Sequence, residues 1–382
     1  MIPGTFAAWK RLALATGIIA VFLAAGIAAF IWSGVYNVAA TREHFAITTW
    51  LLETLRRQSV ETYSYFVESP PPLDDPDLIS LGAAHYEGGC APCHSRPGEP
   101  IDAIVSGMLP PPPPLADPVA RQSSKEVFWT VKHGLKYTGM PAWSSQERGD
   151  EVWALTAFLR QFPRDVAGDY FRLSGVDRLP PETGESPTHG GGTVALTQCI
   201  RCHDDADRET ISNLVPRLAG QSPDYLLRTL AEYAAGTRPS GIMQPVAESL
   251  DQDEMRELAA YYARLGAKPQ PNNDRPDAKR IERGRILATN GDSENGVPPC
   301  LACHSASRAA AFPALAGQNA DYLTGQLRLW QSGGRDTTGY GQIMETVARR
   351  LTDEQISDVA AYFASLPPSA ALDRPTSPEA RQ

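Results

Sequence analysis

The sequence predicts an all-α protein: three small helical domains in tandem behind one N-terminal transmembrane helix. Three observations predict it. Residues 12–33 read LALATGIIAVFLAAGIAAFIWS without one charged residue, a run long enough to cross a bilayer as a single helix. A unit that closes on a helix-period stretch recurs along the rest of the chain, the signature of tandem domains. No strand-like alternation of useful length interrupts it.

Lys10 and Arg11 precede the apolar run, so the short segment 1–11 is expected in the cytoplasm, 12–35 in the membrane and the remainder exported. A cleaved signal peptide is the alternative, with Val38-Ala39-Ala40 as a tolerable cleavage site, and both give the same address. Residues 36–75 form an amphipathic juxtamembrane segment and linker. Phe45, Ile47, Trp50, Leu51, Leu55, Tyr63, Tyr65 and Phe66 suit either a helix lying on the membrane surface or docking against a partner's membrane subunit. Proline, glycine and serine clusters then set the boundaries: domain one at 76–168, a linker at 169–188, domain two at 189–268, a linker at 269–276, domain three at 277–368 and a polar tail at 369–382. The five prolines Pro110 to Pro114 fall inside domain one and are expected as a stiff loop packed along a pocket.

Domains two and three are close copies. PRLAGQSPDYLLRTL from Pro216 matches PALAGQNADYLTGQL from Pro313, and GIMQPVAESLDQDEMRELAAYYARL matches QIMETVARRLTDEQISDVAAYFASL. Domain one is a more distant copy without the LAGQ stretch. Each ends in an expected amphipathic helix, at 150–162, 253–265 and 353–366, with Phe158, Tyr261 and Tyr362 on the inner faces. Asp251 with Glu254, and Thr352 with Gln355, have capping-box spacing.

The formal net charge of -9 over 382 residues does not suit nucleic-acid binding, which wants a basic face. All six cysteines fall in three Cys-x-x-Cys pairs, each followed by histidine: Cys90, Cys93 and His94; Cys199, Cys202 and His203; Cys300, Cys303 and His304. A structural zinc site needs four ligands, but these pairs lie about a hundred residues apart, one per repeat. A dithiol oxidoreductase would carry one such motif in a βαβ setting, which is absent. Covalent haem fits without remainder, because two thiols three apart reach the vinyl edge of one porphyrin and the following histidine faces its iron. Three covalently bound haem c groups are therefore expected.

A sixth iron ligand is expected from methionine. Met140, Met243 and Met344 stand at equivalent places, the last two each 44 residues after the first cysteine of their domain. Met108 and Met255 have no counterparts and are expected as core filler. Among the remaining histidines, His44 sits beside the membrane helix, His85 leads into Cys90, His133 has no equivalent in the other copies and His189 lies in a linker; none is assigned to iron. His/Met ligation fills both axial positions and raises the potential, which suits single-electron transfer, and no catalytic residue is assigned.

With GCAPCH, HGLKYTGMPAW and EVWALTAFLRQF, domain one resembles a class I bacterial cytochrome c. Domains two and three, with PRLAGQ…GTRPSGIM and PALAGQ…GGRDTTGYGQIM, resemble the two halves of the dihaem cytochrome c-four family. The resemblance implies three cytochrome c domains on the periplasmic side of a bacterial cytoplasmic membrane. It implies a carrier from quinol–cytochrome c oxidoreductase to a haem-copper terminal oxidase. The extra haem domain and the anchor depart from that family, and leave open the cytochrome subunit of a membrane-bound alcohol, aldehyde or sugar-acid dehydrogenase, partnered by its catalytic subunit.

Overall fold

A computed structural model describes residues 3–162, 167–179, 192–266, 277–305 and 312–368. The linker at 269–276, the tail at 369–382, His189 and residues 180–188 of the 169–188 stretch lie outside these residues. Among the described residues the chain is helical, and its one β contact is an isolated bridge between Asp292 and Val297.

Helix α1 (Pro3–Ser33) carries the apolar run, and its Ala8–Ser33 portion has a mean hydropathy of 2.5 with none of it buried. An all-round apolar helix has no polar face to offer water. Helix α2 (Ala46–Ser64) instead turns its C-terminal end onto the first module. Tyr63 stacks on Trp129 with ring centroids 6.0 Å apart, and Lys125 Nζ donates to Val67 O at 2.5 Å. Trp50, Ile47 and Leu51, nearer α1, stay exposed.

Module one comprises α3 (Pro76–Gly89), α4 (Ala91–His94), α5 (Ala116–Arg121), α6 (Ser124–His133), α7 (Gly149–Leu159) and α8 (Tyr170–Ser174). Asp75 caps α3 ahead of Pro76, and Ser123 with Glu126 makes a capping box on α6. Helices α3 and α7 cross at Gly82, where a Cβ would lie 2.1 Å from Ala154 O and 2.9 Å from Phe158 Cβ; only glycine lets the backbones approach this closely. Helix α7 is not amphipathic as expected: every residue from Glu151 to Leu159 is buried. Module two packs on the face that would otherwise meet solvent.

The stretch expected as a linker opens with structure of its own. Tyr170 of α8 is buried, donates to Glu87 Oε2 at 2.6 Å and packs against Tyr86 and Phe158. Gly175 follows with φ 73, its absent Cβ leaving room for Arg201 O at 2.2 Å. Arg178 then reaches Ile200 O (3.3 Å) and His203 O (3.5 Å) of module two.

Module two contains α9 (Gly192–Ile200), α10 (Pro223–Ala234), α11 (Met243–Glu248) and α12 (Gln252–Arg264). Module three contains α13 (Ala278–Asn290), α14 (Ala320–Gln331), α15 (Gly339–Ala348) and α16 (Asp353–Ser365). Both expected capping boxes form, on α12 and α16. In module three α13 crosses α16 at Gly284, with Asp358 O 2.0 Å and Tyr362 Cβ 2.8 Å from the missing Cβ. The inner-face expectation holds fully for Phe158, but in the copies the buried ring is the next one along, Tyr262 or Phe363. Tyr261 and Tyr362 are half-buried and pack against the cores of their modules.

The three modules meet at Asn213. Its N–H donates to Asp77 Oδ1 of module one at 2.6 Å, and its carbonyl accepts from Tyr322 N of module three at 3.1 Å. A buried ion pair of module one also bonds the backbone and a side chain of module two. Arg148 Nη1 lies 2.9 Å from Glu151 Oε1 and donates to Pro239 O at 2.9 Å; Glu151 accepts from Ser240 Oγ and Gly241 N, both at 2.6 Å.

Two glycines of module three should respond oppositely to one substitution. Gly284→Ala forces a side chain into backbone and should cost about 1–3 kcal/mol. Gly339→Ala, in the first turn of α15 with nothing within 4 Å of the new Cβ and away from the cavity wall, should stabilise by about 0.5–1 kcal/mol. Urea unfolding of the two variants checks both signs.

Candidate cofactor site

The three Cys-x-x-Cys-His motifs fold into the same turn. His94 N donates to Cys90 O, His203 N to Cys199 O and His304 N to Cys300 O, all at 2.9 Å; the second cysteine of each pair also donates to the carbonyl of the first, at 3.0, 3.1 and 3.2 Å. One tight turn brings two thiols and an imidazole to one side of the backbone. That side faces a cavity of about 3290 Å³, whose wall includes all nine motif residues together with Met140, Met243 and Met344. The volume is more than three times the upper end of the roughly 300–1,000 Å³ of an ordinary ligand pocket, as several large ligands require.

Each motif histidine is held the same way. Nδ1 of His94 lies 3.1 Å from Pro113 O, Nδ1 of His203 2.9 Å from Pro216 O and Nδ1 of His304 3.0 Å from Pro313 O. A carbonyl only accepts, so Nδ1 carries the hydrogen and Nε2 is left with its lone pair. Burial pushes all three imidazoles below their ordinary pKa, the proline carbonyls opposing it; neutral rings with a free Nε2 are what a metal takes. Pro113 lies in the five-proline stretch, which runs along the cavity as expected.

The thiols behave differently from a reactive dithiol. Burial first, then the neighbouring cysteine, pushes Cys90 and Cys199 up to about 12, and burial pushes Cys300 to about 11. A redox dithiol needs the reverse. Among the described residues no three His, Cys, Asp or Glu side chains form a cluster that could hold a metal ion.

The methionines reach the cavity from different backbones. Met140 is in a loop, its N–H donating to Thr138 Oγ1 at 3.1 Å; Met243 begins α11, its N–H on Ser240 Oγ at 2.9 Å; Met344 is inside α15. Met255 is core filler, as expected, buried in α12. Met108 is not only that. It lines the cavity beside the Met140 loop, its Cε so close that a Cβ at Gly139 would lie 2.1 Å away.

His85 meets Trp143 edge-on at 4.7 Å and is pushed down to about 4 by burial, with Arg201 adding to it. His133 leans on Trp129 at 5.0 Å, and His44 Nδ1 lies 2.6 Å from Tyr36 OH.

Two arginines in the cavity wall were not singled out in the sequence. Arg238 and Arg335 lie deep between modules two and three, among Tyr225, Tyr233 and Tyr322 rather than carboxylates. Burial lowers Arg335, and Arg238 lowers it further. Burial opposes ionisation of Tyr225, yet the two arginines outweigh it and bring the phenol down to about 8. Buried positive charge in this wall fits a cofactor bearing carboxylates. The repeated GTR and GGR ahead of the methionines were the signal.

The chain matches two family profiles: "Cytochrome C oxidase, cbb3-type, subunit III" over residues 77–159 and "Cytochrome c" over residues 282–367. It is 36% identical over 174 residues to the thiosulfate dehydrogenase electron acceptor of Thiomonas intermedia, covering 44% of this chain and 78% of that protein. It is 31% identical over 191 residues to cytochrome c4 of Thiocapsa roseopersicina, covering 49% of this chain and 92% of that one. The solved cytochrome c4 of Acidithiobacillus ferrooxidans is 33% identical, with 44% of this chain and 98% of that chain aligned at a TM-score of 0.40.

Proposed function

Since the chain belongs to the c-type cytochromes, as a multi-haem electron-transfer member with a cytochrome c4-like tandem, we propose that it holds three haem c groups, one per module, and relays single electrons among them. The observation that carries this is the threefold cradle: the same turn, the same histidine-to-proline-carbonyl bond and a methionine, on one cavity. Cys90 and Cys93, Cys199 and Cys202, and Cys300 and Cys303 are the tethers. His94 with Met140, His203 with Met243, and His304 with Met344 are the axial pairs. Haem c, when bound, supplies a one-electron iron couple. The chain's own residues fix the imidazoles through Pro113, Pro216 and Pro313 and balance anionic groups with Arg238 and Arg335. Helix α1 is the anchor in the bacterial cytoplasmic membrane, with the modules in the periplasm.

The electron donor we propose is a dehydrogenase, supported by the 36% identity to a protein named for accepting electrons from thiosulfate dehydrogenase. A second reading is transfer from quinol–cytochrome c oxidoreductase to a haem-copper oxidase, supported by the cbb3-type subunit III profile over module one.

Haem assay of the full-length protein should give three haems, and Cys199→Ala with Cys202→Ala should leave two. Substituting Met243 or Met344 should lower one potential and leave attachment intact; unchanged potentials after both refute the axial assignment. All three ferrous haems should resist carbon monoxide. Gentle solubilisation should recover the protein with a dehydrogenase subunit; recovery with an oxidase instead selects the second reading.

A further inference from the structure

The glutamines that end the two LAGQ stretches each bond the other module. Gln318 Oε1 accepts from Arg217 N at 2.8 Å, and its Nε2 donates to Arg217 O at 3.0 Å. Gln221 treats Ala314 identically, accepting from its N–H at 3.0 Å and donating to its carbonyl at 2.8 Å. Both glutamines are buried. Gln318 Oε1 also takes the N–H of Asn319 at 3.0 Å.

Arg217 and Ala314 directly follow the prolines that hold the histidines. The carbonyl of Pro216 and the N–H of Arg217 belong to one peptide unit, as do the carbonyl of Pro313 and the N–H of Ala314. A continuous line therefore runs from His203 Nδ1 through one amide to Gln318, at 2.9 and 2.8 Å. A second runs from His304 Nδ1 to Gln221, at 3.0 and 3.0 Å.

We propose that these lines are relays in which Gln318 and Gln221 act across the interface as positioning residues, each setting how strongly the histidine of the opposite module donates to iron. An amide that donates at its N–H end becomes a better acceptor at its oxygen. A better acceptor pulls harder on Nδ1–H, and the imidazole becomes the more basic ligand, which favours the ferric state. The inference rests on the axial assignment of His203 and His304 proposed above. Module one contains its own control: the carbonyl holding His94 belongs to Pro113, and the next residue is Pro114, which has no N–H to extend the line.

The experiment is redox titration of full-length protein, each haem assigned by NMR, with the Nδ1–H resonances of the three histidines as a second readout. Gln318→Leu should raise the potential of the haem on Cys199 and Cys202, changing its oxidised-to-reduced ratio roughly two- to threefold at fixed potential, and should shift the His203 Nδ1–H signal. Gln221→Leu should do the same to the haem on Cys300 and Cys303. Ala314→Pro, which copies the Pro113–Pro114 pair, removes that relay without touching a glutamine and should match Gln221→Leu. The haem of module one should not move in any variant. Three His-ligated haems with no change in the opposite module, or change only in the glutamine's own module, overturns the relay alone. Fewer than three such haems in the unaltered protein overturns the axial assignment as well.

Discussion

Each module gives its centre to a cavity, and most of the structure follows from that. A helical domain of this size has little core to begin with, and hollowing it leaves less. Among the described residues of module two the buried apolar cluster is Leu226, Ala259 and Tyr262, with Leu196, Leu218 and Leu265 packed against it. The deficit is met by close helix crossings at Gly82 and Gly284, by capping boxes on α6, α12 and α16, and by hydrogen bonds between modules. A bound group that fills the cavity stabilises the folded state further by mass action.

The two junctions between modules differ in kind. Modules one and two are joined by charge. Removing Arg148 would strand the buried Glu151 carboxylate, a loss of about 3–5 kcal/mol for buried pairs, whereas Arg148 also pairs with Asp150 at 2.8 Å; Glu151 in turn holds Ser240 and Gly241 next to Met243. Trp143, three residues after Met140, donates to the same carboxylate at 3.3 Å and lies where a Cβ at Gly241 would be. The methionine sides of modules one and two therefore abut. Modules two and three are joined by neutral amides, through the proline loops on their histidine sides. That junction is reciprocal because the two modules are copies, so each supplies the same glutamine to the same backbone position of the other.

Much of this was legible because it is local or periodic. A Cys-x-x-Cys-His turn carries its ligand spacing in five residues, a capping box in four, and a repeat announces itself by alignment with its copy. The burial of α7 was not legible, since its exposed-looking Glu151 is polar and only the approach of module two removes the solvent. Nor was α8, a short helix that exists to bury Tyr170 against Tyr86. LAGQ stood out as a repeat, but its purpose requires a second module in view.

The sequence by itself determined the helical class, the threefold motif, its chemistry and the candidate thiol, imidazole and thioether groups, because each depends on residue types a few positions apart or on exact repetition. Only the tertiary structure decided which loops touch across modules, that Arg238 and Arg335 point their charge into a shared wall, and that Gln318 reaches the histidine line of another module. Those contacts join residues about ninety to a hundred positions apart, and nothing in either partner alone specifies the other.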